Sequence, residues 1–194
     1  NYYGYSGERV KGLMFCSSKK EAAALSERLN LRGYRTIALS GEDSQEKRED
    51  AIDRLVSDTR SDYLQYILTV DIFNEGVDIP EINQVVLLRP TQSPIVFVQQ
   101  LGRGLRKSKD KEYVVILDFI GNYKNNFMIP IALSGDHSYN KDNIRRYVLE
   151  GERIIPGSST IHFDEISKKQ IFASIDTANF ADIKLIKDSY KNLK

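Results

Sequence analysis

At 194 residues, with a net charge of +1, 41% hydrophobic and 28% charged residues, the chain has the composition of one globular domain plus an appendage. Its apolar runs fall far short of a membrane span, and so small a charge gives no global attraction to a polyanion, so any nucleic-acid surface must be a local patch. The chain opens Asn1-Tyr2-Tyr3-Gly4 without an initiator Met or an apolar leader; it reads as a piece of a longer protein, and a single cysteine, Cys16, suits a reducing cytoplasm.

Short apolar runs alternate with amphipathic segments, the pattern of repeated βα units. Gly12 to Ser17 predicts a buried strand, with Cys16 as a small buried hydrophobe. Lys19 to Leu31 predicts a helix presenting Ala22, Leu25 and Leu29 on one face, with Gly33 placed to cap its end. Tyr34 to Leu39 predicts a second strand. Ser44 then opens a charged helix with Ile52, Leu55 and Val56 as its buried stripe. Tyr66 to Val70, Gln84 to Leu88 and Tyr113 to Phe119 are further strands rich in Val, Ile and Leu. The expectation is an α/β domain with a mainly parallel sheet over residues 11–120, preceded by a linker over 1–10 and followed by a small α+β extension over 121–194. In that extension, Phe127 to Leu133 and Asn143 to Leu149 predict helices, Ser159 to Ser167 a short strand, and Lys168 to Ile175 and Asp182 to Leu193 two more helices. Arg145, Arg146 and Tyr147 read as a solvated helix face, with contact to DNA the alternative. His137 and His162 stand alone, and no set of metal ligands is apparent.

Two segments carry residue types a plain sheet does not need. In Thr69-Val-Asp-Ile-Phe-Asn-Glu-Gly-Val-Asp-Ile-Pro80 the carboxylates Asp71, Glu75 and Asp78 crowd around Gly76, which can let a ligand approach the main chain. Solvated carboxylates on an ordinary connection are the plain alternative. In Gln99-Gln-Leu-Gly-Arg-Gly-Leu-Arg106 the spacing puts Gln99, Arg103 and Arg106 on one face of a helix. Gly102 and Gly104 each weaken such a helix by roughly 1 kcal/mol relative to Ala, and close packing against phosphate would explain them. A basic helix end complementing its own dipole would explain the arginines alone.

Taken in order, these segments resemble the C-terminal RecA-like domain of superfamily 2 helicases. Gly12 to Ala22 is similar to the family's motif IV, Leu39-Ser40-Gly41 followed by Arg48 to the segment after the next strand, Asp71 to Pro80 to motif V, and Gln99 to Arg106 to motif VI in the Gln-x-x-Gly-Arg-x-x-Arg form of restriction-type DNA translocases. Two departures stand out: Val70 separates Thr69 from Asp71 where many relatives have Thr next to Asp, and Leu105 replaces the second glycine of motif VI.

The resemblance implies a RecA-like three-layer fold and half of an ATPase site. Arg103 and Arg106 would be catalytic, facing the γ-phosphate, one of them as an arginine finger. Gly76, Asp78 and Gln99 would join them in binding ATP, Asp78 at the ribose. Ser17, Ser18, Gly41, Thr69 and Asp71 would touch the backbone of a nucleic acid, with DNA the polymer implied. The chain has neither a Gly-x-x-x-x-Gly-Lys-Ser/Thr loop nor an Asp-Glu pair following a strand to hold Mg2+, so a first RecA-like domain of the same polypeptide would hold the metal, and this chain alone is expected to be inactive. Two rivals remain: a non-motor module that binds nucleotide or nucleic acid, and a Rossmann-type transferase, against which stands Ser17-Ser18-Lys19 in place of a glycine-rich turn.

Overall fold

A computed structural model describes residues 4–70, 79–89, 108–109, 111–119, 126–134, 138, 140–150 and 162–178. Five parallel strands, β1 (Gly12–Phe15), β2 (Thr36–Leu39), β3 (Tyr66–Thr69), β4 (Gln84–Leu87) and β5 (Val115–Asp118), form one sheet in the order β2-β3-β1-β4-β5. The registers are regular, with Phe15 level with Thr69 on one side and with Leu87 on the other. Each strand matches a predicted apolar run, trimmed by one to three residues at its ends. β2 starts at Thr36 because Tyr34 still belongs to the helix end, its N–H donating to the carbonyl of Leu29.

Helix α1 (Lys19–Leu31) joins β1 to β2, and α2 (Gln45–Val56) joins β2 to β3. Ser18 and Ser44 cap their first turns through side-chain oxygens. At the other end of α1 the N–H of Gly33 bonds Asn30 and that of Tyr34 bonds Leu29, with Gly33 at φ 86°, so this is the left-handed cap anticipated for Gly33. The chain crosses the sheet in one direction through α1 and returns through α2, so right-handed crossovers put the two helices on opposite faces. Met14, Cys16, Leu68 and Val86 pack with Ala22, Leu25 and Leu29 on the α1 face. Leu13, Phe15, Ile67, Val85 and Leu87 alternate onto the other face and are buried, as are Ala51 and Leu55 of α2. This is the three-layer α/β architecture expected.

The chain divides into two compact units, residues 1–89 with 99–119, and residues 90–98 with 120–194. In the second, the described elements are helices: α3 (Met128–Ser134), α4 (Lys141–Glu150) and α5 (Glu165–Thr177). Ile144, Tyr147, Val148, Ile171 and Ile175 are buried there. Tyr147, read from sequence as part of a solvated face, therefore lies in this core, while Arg145 beside it pairs with Asp142 and Asp176. Residues 165–167, expected at the end of a strand, are the first turn of α5, because Asp164 caps it by accepting the Ser167 N–H at 2.7 Å. Residues 162–164 precede it without forming a strand, and residues 159–161 and the final helix predicted over 182–193 lie outside the described residues. No helix among the described residues is long and apolar enough to cross a membrane.

The candidate nucleotide and nucleic-acid edge

Because the strands are parallel, all five carboxyl ends lie along one edge. Chain leaving β1 heads towards β2, whereas chain leaving β4 heads towards β5 on the opposite side, so a topological switch point falls between the adjacent strands β1 and β4. Four segments follow strands along this edge: Ser17–Ser18 after β1, Ser40–Asp43 after β2, Val70 after β3 and Leu88–Arg89 after β4.

After β1, Ser17 and Ser18 are exposed. The hydroxyl of Ser18 accepts the Glu21 N–H at 3.1 Å, and the carboxylate of Glu21 reaches back to accept the Ser17 N–H at 2.7 Å. This is a capping box shifted by one residue. It leaves the Ser17 side chain outside the capping pattern and commits that of Ser18 to the helix. Cys16, one residue earlier, has its thiol pushed up to about 11 by burial and secondarily by the charge of Glu21, so it is a thiol at neutral pH.

After β2, Gly41 lies in an exposed turn, and a methyl group added there would meet nothing within 4 Å. The turn is held by Asp43, whose carboxylate accepts the Ser40 N–H at 2.6 Å and pairs with Lys47. The hydrogen bond from Lys47, followed by that from the Ser40 backbone, holds this carboxyl below the usual range. Lys19 of α1 pairs with Glu42, linking the segments after β1 and β2.

Thr69, the last residue of β3, is fully buried, and its hydroxyl has no hydrogen-bond partner among the described residues. Its carbonyl accepts the Cys16 N–H at 2.8 Å. Arg89, which sequence reasoning did not single out, donates from Nη1 to the carbonyl of Val70 at 2.7 Å, across the end of β1. The signal available was only an arginine between an apolar run and Pro90. The structure thus brings Ser17, Ser18, Gly41 and Thr69 to one edge. Asp71, Gly76, Asp78, Gln99, Arg103 and Arg106 lie outside the described residues.

This edge sits within a stretch, residues 4–108, that matches the family described as the helicase conserved C-terminal domain. The match covers more than half of the chain, and the chain belongs to that family. Among relatives, it is 30% identical over 102 residues to the ATP-dependent RNA helicase SrmB of Haemophilus influenzae, covering 53% of this chain and 22% of that protein. It is 32% identical over 102 residues to the ATP-dependent RNA helicase DBP3 of Vanderwaltozyma polyspora, covering 53% and 18%. The chain thus spans only about a fifth of the length of these relatives. Of solved structures, the yeast DEAD-box splicing factor Prp28 superimposes with a TM-score of 0.56 at 18% identity, over 92% of this chain and 33% of that one. The Mycobacterium smegmatis helicase Lhr, bound to single-stranded DNA and AMP-PNP, gives 0.51 at 20% identity, over 66% and 18%. These two likenesses establish a shared fold.

Proposed function

We propose that the chain is the C-terminal motor half of a cytoplasmic, ATP-dependent DNA helicase or translocase, and that it works against a first RecA-like domain of the same polypeptide. The observation that carries this reading is an order: the family match spans four segments that follow successive strands of one parallel sheet, and β3 leads directly into the segment holding Asp71, Gly76 and Asp78. Ser17, the turn at Gly41 and Asp71 are the contacts to the strand backbone. Ser18, whose hydroxyl caps α1, and Thr69, buried in β3, support those contacts through neighbouring main chain. Such contacts address phosphate and sugar and carry little sequence preference.

The donor set suits a nucleoside triphosphate. Arg103 and Arg106 supply the positive charge that phosphoryl transfer needs on the transferring group, Gln99 senses the bound nucleotide, and Asp78 accepts from ribose hydroxyls. ATP carried with Mg2+ on the other motor half supplies the reacting phosphate, and alternate closing and opening of the halves moves the contacts along one strand.

The test is made in the longer protein that contains this chain. An arginine finger is worth about a thousand-fold or more in turnover. Arg103→Ala or Arg106→Ala is expected to lower nucleic-acid-stimulated ATP turnover at least about a hundred-fold while the melting temperature moves only a few degrees. Arg→Lys at either position should rescue poorly, since an ammonium lacks the planar fork that grips phosphate. Near-normal turnover in both alanine variants would refute the reading. An RNA substrate is the second reading, favoured by SrmB and DBP3 being RNA helicases. Stimulation by single-stranded DNA and RNA of one sequence, measured side by side, decides between them.

A further inference from the structure

The guanidinium of Arg89 links the ends of the two strands that flank β1. It rises from the end of β4, beside the switch point, and Nη1 donates to the Val70 carbonyl at 2.7 Å on the far side of β1. Since β1 lies between β3 and β4, the bond spans two strand spacings, about 10 Å, a reach available only to a long side chain. The ladder beneath is regular: the Cys16 N–H bonds Thr69 and the Leu88 N–H bonds Phe15, at 2.8 and 2.9 Å. Arg89 thus ties the three adjacent strands β3, β1 and β4 together just past the end of their ladder.

Its position along the chain sharpens the point. Val70 is the residue that separates Thr69 from Asp71, so the bond fixes the carbonyl from which the Asp71 to Pro80 segment departs. Arg89 is also the last residue before the chain leaves the first compact unit, to which it returns at Gln99. One side chain therefore anchors the start of one candidate ligand segment at the point from which the chain sets out towards the other.

We propose that Arg89 is a positioning residue of the motor, holding the Val70 carbonyl from which the Asp71 to Pro80 segment departs. This rests on the motor reading above. A positioning role for an N–H···O=C bond differs from a phosphate grip in a testable way: a carbonyl needs one donor, which a lysine ammonium can supply at nearly the same reach, whereas a phosphate grip uses the guanidinium fork.

The experiment compares Arg89→Ala, Arg89→Lys and Arg89→Gln with Arg103→Ala and Arg103→Lys in the longer protein, reading ATP turnover against single-stranded DNA concentration, with melting temperatures alongside. Arg89→Ala should lower kcat about ten-fold or more, because misplaced groups lose alignment, with a smaller change in the DNA concentration at half-stimulation. Arg89→Lys should recover turnover to within about three-fold of the parent, whereas Arg89→Gln, too short to cross β1, and Arg103→Lys should not. Normal turnover in Arg89→Ala alongside a dead Arg103→Ala overturns the proposal and leaves the motor reading standing. Normal turnover in both overturns the two together. Arg89→Lys as inactive as Arg89→Ala overturns the positioning role through the Val70 carbonyl. If Arg89→Ala does not fold, Arg89→Lys and Arg89→Gln decide on the same criteria.

Discussion

The two edges of the sheet are built in opposite ways. Along the amino edge the chain is tied down by side chains reaching far in sequence. Asn83 accepts the Lys11 N–H at 2.8 Å and donates to the carbonyls of Ser6 and Arg9. Arg9 donates to the carbonyls of Leu55, Ser57 and Leu64, and its guanidinium stacks on the Tyr63 ring with its centre 5.0 Å from the ring centroid. Tyr66 donates to Gln84, which in turn donates to Gly4, and the Glu112 N–H donates to Ser6. Residues 4–10, expected as a linker, are in this way fastened to β4 and to the residues before β5. Along the carboxyl edge, the ties between described residues are mostly local, Glu21 to Ser17, Asp43 to Ser40 and Lys19 to Glu42, beside the long reach of Arg89. Among the described residues, the long-range side-chain ties gather on the edge away from the candidate site. Segments that bind and move are drawn from the less stable parts of a fold.

The most forceful way to break this contrast is at Asn83. Its buried amide satisfies three backbone groups, so Asn83→Ala leaves a donor and two acceptors unpaired, at a cost of roughly 2–4 kcal/mol. For a chain of this size the expected fall in melting temperature is roughly 5–12 °C, read by circular dichroism. Single-strand binding by the folded fraction should stay near the parent's, because the carboxyl edge is untouched. Next comes Gly12→Ala. A methyl group at Gly12 would run into the Tyr66 ring, whose hydroxyl donates to Gln84 at 2.6 Å. Overpacking of this kind costs about 1–3 kcal/mol. The matched substitution on the other edge, Gly41→Ala, enters open space and should move stability by less than about 0.5 kcal/mol. A drop in nucleic-acid affinity on Gly41→Ala with an unchanged melt is the expected signature of a working edge. Equal destabilisation by the two alanines would erase the contrast.

How far the sequence could be read follows the same division. Strands and helices were legible because their signals are local: apolar runs for the five strands, Ser18 and Ser44 at the helix starts, Gly33 at a helix end. The order of chemical segments was legible too, since parallel strands deliver their carboxyl ends to one edge. The packing of residues 4–10 was not, because Asn83, Gln84 and Glu112 lie 70 to more than 100 residues away and nothing near residue 6 announces them. Arg89 was missed for a related reason: an arginine after a strand looks the same whether it is solvated or crosses two strands to a carbonyl. Tyr147 was misjudged because neighbouring arginines give α4 a polar look, while Ile144, Tyr147 and Val148 share its buried face. At the site, the sheet brings Ser17, Ser18, Gly41 and Thr69 to one edge, while their contact with nucleic acid is a proposal. The roles of Asp71, Gly76, Asp78, Gln99, Arg103 and Arg106 rest on the family's pattern and on the experiments above.

A smaller effect, and a sharper one, is expected from pH. The carboxyl of Asp43 is held below its usual range by the hydrogen bond from Lys47 and then by that from the Ser40 backbone. A carboxyl with a lowered native pKa contributes stability that is fully present above the unfolded value, about 3.9, and is lost as pH falls through the native value. The turn carrying Gly41 should therefore loosen only below about pH 4. Asp58, Asp62 and Asp164 are lowered as well and add to the acid limb, so the readout is a difference. Melting curves from pH 7 to 3 should show a shallower acid limb for Asp43→Asn than for the parent. Parallel limbs would mean that the Ser40–Asp43 turn holds without its charge.

The smallest expected effect is the most telling about the site edge, and it comes from Thr69→Val. Thr69 is fully buried at the end of β3, and its hydroxyl has no hydrogen-bond partner among the described residues. Valine has the same branched shape and suits a strand, so the substitution removes only a hydroxyl that is already deprived of water. Removing an unsatisfied buried polar group while keeping the shape is neutral or stabilising by up to about 1 kcal/mol, so the melting temperature should hold or rise slightly. A fall of several degrees would show that the hydroxyl is bonded by a residue outside the described ones, and that this edge is more tightly tied than the contrast allows. Binding of single-stranded DNA separates two further cases. A covered hydroxyl cannot meet a phosphate, so the valine variant should bind like the parent at both low and moderate salt. If it binds several-fold more weakly while melting normally, the cover over Thr69 opens when nucleic acid arrives, and Thr69 is then a direct backbone contact, as its place before Asp71 in the sequence led one to expect.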